Sequence, residues 1–267
     1  MTIHVNSIIN NPFIVAEILI AGKLHQNNYM KKVKYLSLAV IGMMLTVISF
    51  AQTTEDLIAK HIEAIGGREN WKKVNSMRSE ATLSTQGIEV PIIITQVHNV
   101  GMKQEFSVMG MSGYSIIGVD GGWNFNPMQG QTKPEPITQD ELNIGKEQLD
   151  IQGELLDYKM KGHSVQLLNS EDVDGTLCLK LKLTRKSGRE SFILIDPKTF
   201  YIVRTVTNII VNGQENESTV SLSNYQKLPE GIVVPFTIEN NQLPAPINFS
   251  KIEVNPKIDD AVFKVQQ

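Results

Sequence analysis

A single cysteine, Cys178, stands among 267 residues, so no disulfide framework staples this chain. Aromatic residues make up only 6%, too few for platforms that stack bases. Lys and Arg number 25 against 28 Asp and Glu, a net charge of -3. No basic excess is left over for phosphates, and nucleic acid is not an expected partner. There is no internal repeat and no low-complexity stretch. The G-x-S-x-G elbow, the S-x-x-K pair and the phosphate-binding loop are all missing.

The residues that could carry chemistry are isolated. His61, His98 and His163 fall in three different elements without ligand spacing. They read as the edge of a helix face, a strand and a turn. Cys178 has Lys180 on its own strand face, a neighbour able to lower a thiol pKa, but no positioned base lies near. It reads as a surface or half-buried filler. Glu171, Asp172 and Asp174 read as turn chemistry. No enzyme, cofactor or metal is expected.

What is present begins with an export pattern. Met30-Lys31-Lys32-Val33-Lys34 is a basic start, Tyr35 to Phe50 is an uncharged apolar run, and Ala51 is a small exit residue. These are the parts of a secretory signal peptide. The run is short for a spanning helix, which needs about 20 residues, and it carries no lipid-anchor cysteine. The expectation is cleavage after Ala51, with residues 1–29 an upstream extension and 52–267 one soluble domain in an exported compartment.

Thr53 to Lys73 has helical spacing, with Leu57, Ile58, His61, Ile62 and Ile65 on one face and Gly66-Gly67 as its stop. Thr53 with Asp56 resembles a capping pair, and Glu69 to Val74 a short turn anchored by Trp71. From Ser76 the period becomes two, with turn signals about every ten residues, which fits a sandwich, a barrel or a half-barrel. Pro91 points to an edge strand or a bulge. The clearest stretch is Asp174 to Arg204: Leu177, Leu179, Leu181 and Leu183 alternate with polar residues and Cys178, and short turns follow at Ser187-Gly188 and Asp196-Pro197. The count is about ten strands. Between Met128 and Lys161 the pattern stops. Thr138 to Glu141 is a capping sequence, and residues 138–162 read as two short helices forming a lid over the sheet.

Met102, Phe106, Met109, Met111, Tyr114, Trp123, Phe125 and Met128 crowd into 27 positions. Two readings stay open: ordinary core, or a cavity between sheet and lid that takes an apolar ligand. The candidate ligand-binding residues are Met102, Phe106, Met109, Met111, Tyr114, Trp123, Phe125 and, from the lid, Leu155.

The order of elements adds a resemblance. Glu63-Ala64-Ile65-Gly66-Gly67, Val119-Asp120-Gly121-Gly122-Trp123, Glu154-Leu155-Leu156-Asp157-Tyr158, Val173-Asp174-Gly175, Lys180 to Thr184, Ile195 to Thr199 and Pro256 to Phe263 carry it. In this order they resemble the periplasmic lipoprotein-carrier family (LolA/LolB-like), and more closely the outer-membrane lipoprotein-sorting relatives of Bacteroidetes. The resemblance implies an α+β, mainly antiparallel β fold: an incomplete β-barrel with an N-terminal helix and a helical lid. It implies a hydrophobic groove for the acyl chains of a lipid or lipoprotein, and no catalytic residue. An inner-membrane donor or outer-membrane acceptor protein would be a partner. An arginine early in the sheet would latch the lid, and Arg78 is the one near that position. The expected function is a periplasmic carrier. The alternative is a non-enzymatic envelope-stress sensing or protein-interaction module on the same fold. The carrier requires greasy space left open between the sheet and its cover, whereas a fully packed centre supports the alternative.

Overall fold

The computed structural model describes residues 54–211 and 214–265. The export pattern, the upstream extension and Thr53 lie outside these residues. Helix α1 (54–64) ends at Gly66-Gly67, and α2 (Arg68–Trp71) follows at once, with Trp71 buried. The chain then lays down β1 (Ser76–Thr85), β2 (Ile88–Val97), β3 (Gly101–Val108), β4 (Met111–Gly118), β5 (Gly122–Phe125) and β6 (Glu135–Pro136). Helix α3 (Gln139–Glu147) interrupts, and β7 (Ser164–Leu167), β8 (Glu171–Val173), β9 (Thr176–Thr184) and β10 (Glu190–Ile195) continue. Last come β11 (Ile202–Val211), β12 (Gln214–Lys227), β13 (Val233–Asn240) and β14 (Ile247–Val254).

These make one open, antiparallel, 14-stranded sheet in the order β6-β5-β4-β3-β2-β1-β14-β13-β12-β11-β10-β9-β7, with β8 beside β9. The expected count of about ten strands becomes fourteen among the described residues, partly because β6 and β8 have only two and three residues and leave no periodic signal. The sheet runs out from the β1–β14 pair in both directions and does not close. Between β13 and β14 only Thr237↔Asn248 and Ile238↔Ile247 pair. The apolar cluster of Trp71, Val74, Ile232, Phe236 and half-buried Phe249 packs beside that weak seam.

α1, α2 and α3 cover one face, the inner one, and a short 3-10 turn (Asp260–Phe263) sets Phe263 against Gly101 on the outer face. On the inner face α1 sets Leu57 and Ile58 against Leu181, Leu183, Ile193 and Ile195. The two leucines and Ile195 have no exposed surface, as the period-two pattern requires. The pattern fails at its start. Leu177 is 64% exposed and Cys178 is 1% exposed, because β8 folds back over the outer face. There Cys178 joins Val173, Leu194, Val203 and Val206 in a second small core. The thiol is therefore not a surface filler.

Pro91 also departs from expectation. β2 is an interior strand between β1 and β3. However, its pairing with β3 begins only at Ile92↔Phe106, so Pro91 lies where the β3 side is empty. The one-residue slip nearby is in the β1–β14 pairing, where Ser250 of β14 is skipped opposite Glu80 and Ala81.

Candidate functional site

The site is the inner face with the cover laid on it by residues 138–162. Thr138 starts α3 with a full capping box: its hydroxyl accepts from Glu141 N–H, and the Glu141 carboxylate accepts from Thr138 N–H at 2.7 Å. The second expected helix does not form. Gly153, Asp157 and Gly162 all have positive φ, which ends helical hydrogen bonding. Residues 148–162 are a run of turns instead. The cover is one helix and one looped plug.

The plug is fixed in place. Leu149, Leu155, Leu156 and Tyr158 are buried. Asp157 takes Arg68 Nε at 2.9 Å and Lys72 Nζ at 3.0 Å. Its burial works against charge, but Lys72 and Arg68 hold the carboxyl below the usual carboxylate range. Lys161 Nζ donates to Asp150 Oδ2 at 2.5 Å and to Gly153 O at 2.7 Å. Asn99 N–H donates to Leu149 O at 2.8 Å. Beneath the plug, between His61, Trp71, Leu155 and Ile193, only about 110 Å³ is unfilled.

α3 is held differently. It lies against β4 at one side and β11 at the other. Its buried residues are Leu142 and Gly145. Gly145 is a seat: a Cβ there would stand 2.1 Å from Ile117 Cδ1. At its C-terminal end, Glu147 Oε2 lies 2.6 Å from Arg185 Nε and also pairs with Arg189. Arg185 is 8% exposed. It holds the plug too, through Glu154, with Nη2 to Oε2 at 2.7 Å, and its Nη1 donates to Ser191 Oγ at 2.7 Å. The latch arginines thus come from the β9–β10 hairpin. Arg78, the residue the resemblance offered, pairs with Glu80 and Glu253 on its own sheet. Between α3 and β10–β12 lies a cavity of about 500 Å³, lined by Asn143, Ile144, Arg189, Glu190, Asn208 and Ile209 among others.

The register places the sequence-nominated residues. Met102 pairs with Ile117 and Phe106 with Ile92, all on the inner face. Met102 packs with Ile117, Leu142 and Leu149 under α3. Phe106 joins Ala81, Leu83, Ile92 and Ile247, with half-buried Val90, Ile94, Ala245 and Phe249. This cluster contains no helical residue. Tyr114 pairs with Phe125, and Ile116 with Trp123, on the opposite, outer face. There the Tyr114 and Phe125 rings sit 5.7 Å apart and Lys103 Nζ lies 5.3 Å from the Tyr114 ring centre. Met109 and Met111 are exposed at the β3–β4 turn, and Leu155 is 4% exposed in the plug. Met102 and Phe106 are therefore brought to the inner face, Leu155 packs on that face farther along the sheet, and Met111 shares its register at the exposed turn, whereas Tyr114, Trp123 and Phe125 leave by the outer face. Sequence reasoning missed Arg185, Arg189, Glu147 and Glu154. The only advance signal was charge density in Glu147–Glu154 and Arg185–Arg189.

Histidine positions differ in part. His61 is 4% exposed, and its Nδ1 donates to Phe200 O at 2.8 Å. Burial pushes its pKa down. His98 lies in the β2–β3 turn rather than in a strand. Burial pushes its pKa down as well, with Asp150 opposing. The Cys178 thiol is pushed up by burial, then by Asp196 and Asp172. Lys180 does not activate it, being engaged with Glu171 at 2.5 Å. Among the described residues no three His, Cys, Asp or Glu side chains are grouped to hold a metal ion. No described helix is long and apolar enough to cross a membrane.

No protein-family model matches the chain, and no curated protein matches it. Solved structures do. A LolA superfamily protein from Nitrosomonas europaea is similar at 13% identity and a TM-score of 0.48, over 79% of this chain and 97% of that one. A DUF1329 family protein from Desulfovibrio piger gives the same four values. A domain assigned to outer-membrane lipoprotein sorting, from Vibrio parahaemolyticus, is similar at 15% identity and a TM-score of 0.42, over 76% of this chain and 95% of that one.

Proposed function

We propose that this chain is a non-enzymatic periplasmic carrier that binds the acyl chain of a lipid or lipoprotein on the inner face, with α3 as its cover. The observation that carries this reading is the cluster around Phe106. Val90, Ile94, Phe106 and Phe249 are only half-buried, and strands plus Ala245 build the cluster without a helical plug. Half-buried apolar side chains on a sheltered face gain free energy when a chain covers them. The cavity under α3 supplies further room. On the α1 side the sheet's own Leu181, Leu183 and Ile195 are fully packed, and the room left is a cleft of about 280 Å³ between α1 and the plug, lined by Ile58, Ala59, Ile62, Leu155, Tyr158 and Met160 among others.

Each buried methylene is worth ~0.8 kcal/mol, so ten give about 8 kcal/mol. Association costs on the order of 4–15 kcal/mol. Chain burial alone therefore gives modest affinity, as suits a carrier that must also release its load. Native mass spectrometry of protein gently extracted from its host envelope tests the proposal. Acyl-bearing species retained on the protein are expected. A clean apo mass together with a stoichiometric protein partner would replace the carrier reading with a protein-interaction module.

A further inference from the structure

We propose that the carboxylate of Glu147 occupies an anion seat, and that the ligand of the inner face carries an anionic head that takes this seat when α3 lifts. The inference rests on the chain-binding reading above. One carboxylate is shared by two guanidiniums: Glu147 Oε2 is 2.6 Å from Arg185 Nε and also pairs with Arg189. Ser187 Oγ donates to its other oxygen at 3.3 Å. Two guanidinium charges and a hydroxyl converge on one group, as in sites that recognise carboxylate or phosphate, while the Arg185 Nε–H itself is donated to Glu154.

The closed state does not saturate these donors. Arg189 Nε is buried without a hydrogen-bond acceptor and Glu147 Oε2 is buried without a hydrogen-bond donor, so Glu147 meets the arginines by charge alone. A buried unpaired donor carries a free-energy cost, and an anion with a further oxygen would remove it. The network is also divided so that α3 can leave. Arg185 keeps Glu154 and Ser191 whether or not Glu147 is present. Lifting α3 strips Arg189 of its only ion-pair partner among the described residues, and a head group restores one. The flanking charges set the side of approach. Lys146, Lys186, Arg185 and His163 line the adjoining cavity of about 300 Å³, where Asp150 is already paired with Lys161 and Glu154 with Arg185. The larger cavity also borders Arg189, and Glu190 there is paired with Lys182, but Asp140 and Glu215 repel an anion deeper in it. The head stays at Glu147 and the chain runs toward Ile144 and Ile209.

Calorimetric titration of the whole protein with dodecyl phosphate and dodecanoate below their micelle-forming concentrations, and with dodecanol below its solubility limit, tests this. Both anions should bind at least roughly tenfold more tightly than the alcohol. Dodecyl phosphate should lead, since it has the extra oxygen for Arg189. In Arg189→Gln the preference for anions should collapse while dodecanol affinity stays. In Glu147→Gln, which keeps the shape of the latch, anion affinity should rise more than alcohol affinity. Equal affinity for all three ligands, or an anion preference unchanged in Arg189→Gln, overturns the head-group proposal and leaves chain binding intact. Binding of none of them overturns both.

Discussion

Gly145→Ala isolates the contact that seats the cover. In a helix interior this exchange ordinarily stabilises by about 0.5–1 kcal/mol. Here the new methyl would stand 2.1 Å from Ile117 Cδ1 and 3.0 Å from Ile117 Cγ2, far inside contact distance. Ile117 is 9% exposed, and it packs with Leu142 and Leu149, so its side chain has little room to turn. Overpacking of this kind costs about 1–3 kcal/mol. The helix gain offsets part of that, and a net loss of roughly 1 kcal/mol is expected. It should be local, because the plug and sheet do not depend on Gly145. Hydrogen exchange should speed up across Gln139–Glu147 and stay unchanged at Leu181–Leu183. Ile117→Val removes the offending methyl, so the double variant should recover the loss, with a coupling of about 0.5–3 kcal/mol. A Gly145→Ala protein more stable than the parent, with slower exchange in α3, would refute the close seat.

Three further outcomes follow from the same geometry. Arg185→Met leaves Glu154 and Glu147 without their shared partner in a largely buried site and should cost about 2–4 kcal/mol in urea unfolding, whereas Arg78→Met should cost under about 1 kcal/mol. Cys178 should resist a thiol reagent at pH 8 and react at once in denaturant, because it is buried and its thiol is pushed up by burial; rapid labelling of native protein would contradict the β8 cover. The Thr199 N–H, against opposing burial and with help from the Lys198 N–H, holds the Asp196 carboxyl below the usual carboxylate range. A folded pKa below the unfolded one gives stability that is present above about pH 4 and lost as pH falls through the folded value, so Asp196→Asn should flatten the acid limb of a stability-against-pH curve.

The strands were legible because alternation survives wherever one face is buried, as at Leu179 to Leu183. The Thr138–Glu141 cap was legible because its signal is local. Long-range coverage was not. Nothing in the sequence around Cys178 announces that β8 folds over it, and the buried thiol looks like one more alternate position. The candidate site suffered from parity. Met102 and Phe106 share a face with each other, but the pairing of Tyr114 with Phe125 and of Ile116 with Trp123 turns those aromatics outward. Composition can count soft apolar residues, but only register says which side of the sheet they leave. The latch was hidden for a different reason. Glu147 and Arg185 are 38 positions apart, and ion pairs at that separation have no period.

Phe106→Trp offers the most direct reading of the central claim, since it puts a reporter into the half-buried inner cluster. A dodecyl chain brominated near its end should quench the new fluorescence, measured against a parent whose own Trp71 and Trp123 lie in the packed core and on the outer face. Saturable quenching of position 106 is the predicted result. A chain that binds without quenching it, or that does not bind at all, would contradict the account.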